Sequence, residues 1–237
     1  MAAIALSAKQ FYPLHYMDQD LWTSVDRYIT DTLVHPDDAL DEAVQSNARA
    51  GLPAIDVAPN QGKLLHLLAR IQGAKRILEV GTLGGYSTIW FARALPPDGK
   101  IITLELNPTH AKVAADNIHR AGLTPLVDQR IGPALDSLAR LHADNEAPFD
   151  LIFLDADKPS NPVYLEWALK LSRPGTIIIG DNVIRDGAIL NATDTDPSVV
   201  GTRTFLERLG SHPRLDATAL QTVGSKGYDG FALAIVR

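Results

Sequence analysis

Apolar residues occur along this chain in two kinds of run that alternate with each other. Short apolar-rich runs, such as Arg76–Val80 and Phe149–Leu154, are typical of strands buried on both faces of a parallel sheet. Between them lie longer segments with apolar residues at helical spacing, for example 107–120 and 161–171. This alternation predicts an α/β protein with a doubly wound, mostly parallel sheet.

Glycine and proline punctuate the pattern and set the boundaries of the expected elements. The predicted strands are 76–80, 100–104, 125–131, 149–154, 176–179, 214–222 and 230–236. Helices after the first strand are predicted over 86–95, 107–120, 132–141, 161–171 and 199–209. The last two strands are joined by too few residues for a crossover helix, so we expect them to pair antiparallel.

The part of the chain before the first strand is predicted to be helical. Apolar residues at helical spacing predict helices over 18–34, 39–50 and 61–71, the second of them starting at residues 36–38. Residues 1–17 are expected to form an irregular arm. The helices could cap the crevice of the sheet, pack at its edge or form a dimer contact, and the sequence favours none of these roles.

Composition and charge disfavour or exclude several classes of function. The formal net charge of −6 disfavours nucleic acid as a partner, and the absence of cysteine excludes disulfides, thiol catalysis and cysteine zinc sites. The sequence shows neither a secretory leader nor an apolar run of membrane-spanning length, so we expect a cytoplasmic protein without a membrane partner. The length suits one domain over 1–237, with an N-terminal helical cap (1–73) and an α/β core (74–237).

A glycine turn follows the first predicted strand. Gly81, Gly84 and Gly85 lie in this turn, and Glu105 ends the next strand. Glycine lets a ligand approach the backbone closely, and an acid at the tip of the second strand can bind a ribose diol. The spacing G-x-x-G-G differs from the G-x-G-x-x-G of dinucleotide folds. The pattern predicts a nucleoside-binding crevice; a turn that holds no ligand is the alternative interpretation.

Oxygen-bearing side chains follow two further strands. Asp155 comes after one buried strand, and Asp181 and Asn182 come after the next. Ligands of open α/β sheets bind where such strand ends meet, and carboxylate and amide oxygens suit Mg²⁺. Alternatively, each acid could cap the helix that follows it. Lys158 lies close to Asp155 in sequence and could act as a general base beside a cation, although most lysines are solvated surface residues.

Four motifs, LEVGTLGGYS, GPALDSL, FDLIFLDADK and GDNV, resemble in this order those of the cation-dependent class I O-methyltransferases. That family uses S-adenosylmethionine and includes the caffeoyl-CoA and catechol O-methyltransferases. The resemblance covers about residue 55 to the end of the chain. It implies a homodimer with a Rossmann-like class I methyltransferase fold, in which N-terminal helices precede a mostly parallel seven-stranded sheet with an antiparallel C-terminal strand.

The resemblance also implies roles for individual residues. A divalent cation, Mg²⁺ or another such as Ca²⁺ or Mn²⁺, would be held by Asp155, Asp181 and Asn182. Lys158 would take the phenolic proton, Asp155 would share in catalysis, and Asp186 would contact the substrate together with Lys158. The residues implied at the cofactor are Val57, Glu79, Gly81, Thr82, Ser87, Glu105, Ala134, Asp155 and Asp157.

These features together predict the metal-dependent methylation of a small catechol-type phenol by S-adenosylmethionine. Two vicinal oxygens of a catechol would chelate the cation, which lowers the pKa of the attacking hydroxyl. No basic N-terminal patch is present to grip a CoA phosphate, which favours a free phenolic over a CoA ester. The alternatives are a tRNA methyltransferase of the same family, an NAD-dependent oxidoreductase and a non-catalytic binding protein. The acidic charge disfavours the first, and the acids at the strand ends disfavour the other two.

Overall fold

The structure is a computed structural model of the chain and describes residues 18–35 and 37–237. The arm expected over 1–17 and position 36, where the second helix was expected to start, lie outside the described residues. Within the described ranges, no helix combines the length and the apolar character that a membrane crossing requires.

Helices and strands alternate through most of the described chain, as the sequence pattern predicts. The helices are α1 (Asp18–Ile29), α2 (Asp38–Arg49), α3 (Pro59–Gln72), α4 (Tyr86–Ala92), α5 (Pro108–Arg120), α6 (Ala134–Ala143), α7 (Asn161–Lys170) and α8 (Pro197–Ser211). The strands are β1 (Arg76–Val80), β2 (Lys100–Glu105), β3 (Val127–Ile131), β4 (Phe149–Leu154), β5 (Ser172–Asp181), β6 (Leu215–Gly224) and β7 (Gly227–Val236). A π-helical turn, Thr30–Val34, extends α1.

The seven strands form one sheet in the order β3-β2-β1-β4-β5-β7-β6. β1 to β5 are parallel, and β7 runs antiparallel between β5 and β6. The predicted Rossmann-like sheet with an antiparallel end is therefore confirmed. The strand order reverses between β1 and β4, and in such sheets this is where a crevice opens at the carboxyl ends of the strands.

Two strand boundaries differ from the prediction because of proline. Thr124–Leu126 forms a 3-10 turn, so β3 starts at Val127 rather than at residue 125; Pro125 has no N–H to donate to a sheet. β5 starts at Ser172 rather than at residue 176, because the pairing with β4 shifts register between Phe149 and Leu151 and so accommodates Pro174.

Successive residues of the central strands face opposite sides of the sheet and supply two apolar clusters. Leu78 of β1 and Ile152 of β4 belong to one cluster, which includes Phe205 of α8. Ile77 and Phe153 belong to the other, together with buried side chains of α2, α3, α4 and α5. Full burial of each such side chain stabilises the fold by about 1.5–3 kcal/mol. Helices α2 and α3 thus pack on the same face of the sheet as α4 and α5.

Candidate active site

A cavity of about 960 Å³ opens at the carboxyl ends of β1, β2, β4 and β5. Eleven residues singled out from the sequence line it, which places them around one volume. They are Val57, Gly81, Thr82, Ser87, Glu105, Ala134, Asp155, Asp157, Lys158, Asp181 and Asn182. Two others do not line it: Glu79 lies fully buried behind the wall, and Asp186 is exposed outside it.

Gly81 brings the ends of β1 and β4 into close contact. Its φ of 104° lies in the region that favours glycine, and its N–H donates to the carbonyl of Leu104 at 3.0 Å. A Cβ at this position would lie 2.1 Å from the carbonyl oxygen of Asp155. The turn therefore passes directly over the end of β4, and any side chain would force the two strand ends apart.

Glu105 lies at the end of β2, beside this glycine turn. One carboxylate oxygen accepts from the backbone N–H groups of Thr82 and Leu83, at 3.2 and 2.8 Å, and the other accepts from Asn107 N–H at 2.9 Å. The side chain is 8% exposed and lines the cavity. Backbone donors thus hold the carboxylate rigidly, and its remaining lone pairs can accept the hydroxyls of a ribose.

Glu79 is bonded to hydroxyls of neighbouring elements rather than exposed to the cavity. Ser87 Oγ and Thr103 Oγ1 each donate to its carboxylate at 2.6 Å, and Thr88 donates as well. Burial raises the pKa of Glu79 from 4.5 to about 7, although the hydroxyl donors oppose the shift. Ser87 does line the cavity, so Glu79 orients a wall residue; direct contact with a cofactor stays a prediction.

Replacement of Glu79 by glutamine is expected to change how stability depends on pH. Below pH 4.5 the Glu79 carboxyl is protonated in both the folded and the unfolded wild type. As the pH rises towards 7, the unfolded state releases this proton first. The raised pKa therefore lowers the free energy of unfolding over this pH range. The variant lacks this loss of stability, which is on the order of 3 kcal/mol. Urea unfolding of both proteins between pH 4.5 and 8 measures the free energy of unfolding at each pH. Parallel stability profiles would contradict the assignment.

Asp155 and Asp181 meet at the paired ends of β4 and β5, where Leu154 lies opposite Gly180. Lys158 Nζ donates to Asp155 Oδ1 at 2.9 Å, and Lys158 is only 8% exposed, so it is not a solvated surface lysine. Burial, and secondarily the charge of Asp155, raises the pKa of Asp181 to about 7.

Neither acid caps a following helix, which was the alternative interpretation. Asp181 Oδ2 accepts from Gln61 Nε2 at 2.8 Å and Oδ1 from its neighbour's N–H, and the N-cap of α7 is Ser160. The residue next to Asp181, Asn182, has a φ of 54° and also lines the cavity. Asparagine tolerates this left-handed conformation better than most residues.

The donor set at these strand ends fits a hard divalent cation. It consists of two carboxylates and one amide. Within the described part of the chain, no three side chains of the types His, Cys, Asp and Glu cluster in a way that could hold a metal, so the third side-chain ligand proposed at these strand ends is the amide. Neighbouring carboxylates whose charges disfavour each other are stabilised by a cation between them, and oxygen ligands with open positions suit Mg²⁺.

Asp157 lies further along the same wall. Tyr164 donates its hydroxyl to Asp157 Oδ1 at 2.6 Å, and Ser160 Oγ donates to the other oxygen. Burial and the neighbouring carboxylate raise the pKa of Tyr164 well above its ordinary value. The carboxylate of Asp157 is thus held in place by two hydroxyls at the edge of the cavity.

The sequence model of the O-methyltransferase family matches residues 30–235. The chain belongs to the O-methyltransferase family. A catechol O-methyltransferase of Niastella koreensis is 57% identical over 93% of this O-methyltransferase and 100% of its own length. A catechol O-methyltransferase of Mycobacterium tuberculosis is 52% identical over 90% of this chain and 95% of its own length. The crystal structure of an O-methyltransferase from Bacillus cereus in complex with SAH matches with a TM-score of 0.91 and 57% identity, covering 92% of this chain and 99% of that one.

Several wall residues of this O-methyltransferase were not predicted from the sequence. They include Gln61, Tyr86, His110, Tyr164, Arg185 and Lys226. Gln61 starts the predicted third helix, but helical spacing alone does not show which face of that helix meets a strand end. Arg185 follows GDNV closely, and it lines the cavity where Asp186 was expected to lie. Contact of Asp186 with a substrate stays a prediction.

Gln61 is connected to the N-terminal helix through its neighbour. Gln61 N–H donates to Asn60 Oδ1 at 2.9 Å, and Asn60 Nδ2 donates to Asp26 Oδ1 at 2.8 Å. The other oxygen of Asp26 accepts from Ser225 N–H in the β6–β7 turn at 2.7 Å. A line of hydrogen bonds thus runs from α1 through the start of α3 to Asp181.

Proposed function

We propose that this protein transfers the methyl group of S-adenosylmethionine to a hydroxyl of a catechol-type phenol, with a divalent cation at Asp155, Asp181 and Asn182. One observation carries the proposal. The buried Lys158 lies 2.9 Å from Asp155, in the same cavity as Asp181 and as Glu105. The groups proposed as the base, the cation ligands and the ribose-binding acid therefore line one volume. The catechol names of the two relatives support the acceptor class.

The cofactor end is proposed at β1 and β2. Glu105 would accept the ribose hydroxyls, and the Gly81 turn would let the cofactor lie against the backbone. Thr82, Ser87, Val57, Ala134 and Asp157 line this volume and would contact the rest of the molecule. The Bacillus cereus O-methyltransferase was crystallised in complex with SAH, and this supports S-adenosylmethionine as the cofactor of the present chain.

The acceptor end is proposed at β4 and β5. When bound, S-adenosylmethionine supplies an electrophilic methyl group, and a divalent cation lowers the pKa of a phenol on it. Lys158 would remove the phenolic proton, because a cation at Asp155 disfavours the ammonium form of a neighbouring lysine. Burial of Lys158 and Asp181 keeps water away from these groups, and the walls hold the two reactants in line.

The test is methyl transfer to caffeic acid with EDTA, followed by restoration of Mg²⁺. We expect activity that EDTA abolishes and Mg²⁺ restores. Activity that EDTA does not change would return Asp155, Asp181 and Asn182 to structural roles. Absence of transfer, with S-adenosylmethionine bound in calorimetry, would reject the acceptor class.

Loss of the Gln61 side chain is expected to weaken the proposed cation site. Gln61→Leu removes the amide that donates to Asp181 Oδ2, and loss of such supporting partners typically costs about 10–100-fold in metal affinity. Calorimetric titration with Mn²⁺ measures it. Gln72→Leu is the control, because Gln72 lies on the same helix and donates to Gly175 O at 2.7 Å, near the start of β5. Equal Mn²⁺ affinities in the two variants would contradict the role.

A homodimer is also proposed, with α1 and its π-helical turn as the contact. They expose the apolar side chains of Leu21, Val25, Tyr28 and Leu33, of which Tyr28 is 70% and Leu33 66% exposed. Sedimentation of wild type against a Tyr28→Glu, Leu33→Glu variant tests this; a monomeric wild type would reject it. The cytoplasmic location and the lack of nucleic-acid and membrane partners stay predictions from the sequence.

A further inference from the structure

Arg185 is held in the cavity wall by the backbone that follows the proposed cation ligands. Its φ is 54°, and the N–H groups of Ile184 and Arg185 donate to Asp229 Oδ1 at 2.8 and 3.1 Å. It lies three residues after Asn182 and lines the same cavity. The turn thus places a guanidinium beside the proposed acceptor end.

The charge of Arg185 is poorly compensated within the described residues. Its nearest carboxylate oxygen is Asp229 Oδ2, at 3.9 Å from Nη1, and its Nε is buried with no hydrogen-bond partner among those residues. Arg130, by contrast, lies 3.0 and 2.7 Å from two carboxylates, and Arg173 lies 2.6 Å from Asp150. The Arg185 side chain is nevertheless 36% exposed and lines the cavity, so the donors of its two Nη atoms are available to a ligand.

A second cation lies on the wall of the same cavity. Lys226 Nζ donates to the carbonyl of Ala54 at 3.2 Å, and its carboxylate neighbour, Asp56, accepts from Asn47 Nδ2 at 2.8 Å. The acids near the acceptor end have partners of their own: Asp155 pairs with Lys158, and Asp181 accepts from Gln61. Two cations therefore line the cavity that contains the proposed acceptor end.

We propose that Arg185 binds a carboxylate on the acceptor, so that the substrates are catechol acids rather than neutral catechols. The planar guanidinium matches a carboxylate with two parallel hydrogen bonds, and Lys226 adds a point charge. Such an anchor fixes the acid tail on one side and so determines which of the two hydroxyls faces Lys158. This inference rests on the proposed methylation of a catechol and adds the acceptor's charge and its orientation.

The experiment compares caffeic acid with its methyl ester, which has the same catechol ring and a neutral tail. Wild type is expected to prefer the acid by about 10–100-fold in kcat/KM, chiefly through KM, as for a charge-assisted hydrogen bond. It is also expected to give one methylated isomer from the acid and a mixture from the ester. Calorimetric binding of both compounds with S-adenosylhomocysteine present gives a second readout without turnover.

Arg185→Gln is expected to lower kcat/KM for the acid to that for the ester and to yield mixed isomers from the acid. Arg185→Lys should restore part of the preference, since it keeps the charge. The control is Arg203→Gln; Arg203 donates to the carbonyls of Asn191 and Asp194 and does not line the cavity.

Equal turnover of acid and ester by wild type would overturn the inference while leaving the proposed function standing. If the preference for the acid survives in Arg185→Gln, the role of Arg185 is overturned. If the preference is lost in Lys226→Gln and kept in Arg185→Gln, Lys226 rather than Arg185 binds the carboxylate of the acceptor. If wild type methylates neither the acid nor the ester, the proposed function is overturned, and this inference with it.

Discussion

Replacement of Lys158 by methionine is expected to lower kcat by about 10²–10⁴-fold, the usual contribution of a general base. Methionine keeps the length and apolar stem of the buried lysine but cannot accept a proton. The affinity for S-adenosylmethionine should not change, because the cofactor is proposed to lie at Glu105 and the Gly81 turn rather than at Lys158. Single-turnover kinetics with caffeic acid, together with calorimetric titration of the cofactor, separates the two effects.

The matched control for this prediction is Lys170→Met. Lys170 lies at the end of α7, with Nζ 4.3 Å from the ring centroid of Trp167, and does not line the cavity. We expect its loss to leave kcat unchanged. A Lys158→Met protein that turns over at the wild-type rate from pH 6 to 9 would remove Lys158 from the role of base.

The position of Lys158 depends on a contact that no local sequence pattern reveals. α8 passes so close that a Cβ at Gly201 would lie 2.4 Å from the carbonyl oxygen of Lys158. The motif LDADK predicted that a lysine follows the strand-end acid, but the helix that packs against the backbone of this lysine begins only at Pro197. The type of residue could be predicted from sequence, whereas its exposure depended on tertiary packing.

The strands and their direction were the most predictable part of the fold. Buried parallel strands require continuous apolar runs, so β1 and β4 were predicted with the bounds that the structure shows. The start of β5 was missed because proline and glycine at 174 and 175 indicate a turn, while the register shift against β4 admits them into the strand. Pairing with a neighbour outweighed local propensity there.

The candidate site was predictable where a residue ends a strand and less so elsewhere. Asp155, Asp181 and Glu105 follow or end buried strands, and the topology brings such positions together. Glu79 does not line the cavity, because three hydroxyls from α4 and β2 surround its carboxylate. Gln61 reaches Asp181 from a helix 120 positions earlier in the chain, a contact that spacing cannot show.

Replacement of Asp155 by asparagine is expected to remove both turnover and affinity for the divalent cation. Asparagine keeps the shape of the side chain but lacks its charge, so one anionic ligand of the proposed site is lost. The change also leaves the buried Lys158 without its carboxylate partner at 2.9 Å. Breaking a buried ion pair from one side costs about 3–5 kcal/mol, so the free energy of unfolding should fall by an amount of this order.

The double variant Asp155→Asn, Lys158→Met separates the two consequences, because it removes both members of the buried ion pair. We expect it to recover much of the stability lost in Asp155→Asn while remaining inactive and unable to bind Mn²⁺. Urea unfolding and calorimetric titration measure these quantities. Asp150→Asn is the control, since Asp150 lies at the other end of the same strand and pairs with Arg173 at 2.6 Å. If Asp155→Asn bound Mn²⁺ as tightly as this control, Asp155 would be a partner of Lys158 only, and the cation would have to bind elsewhere.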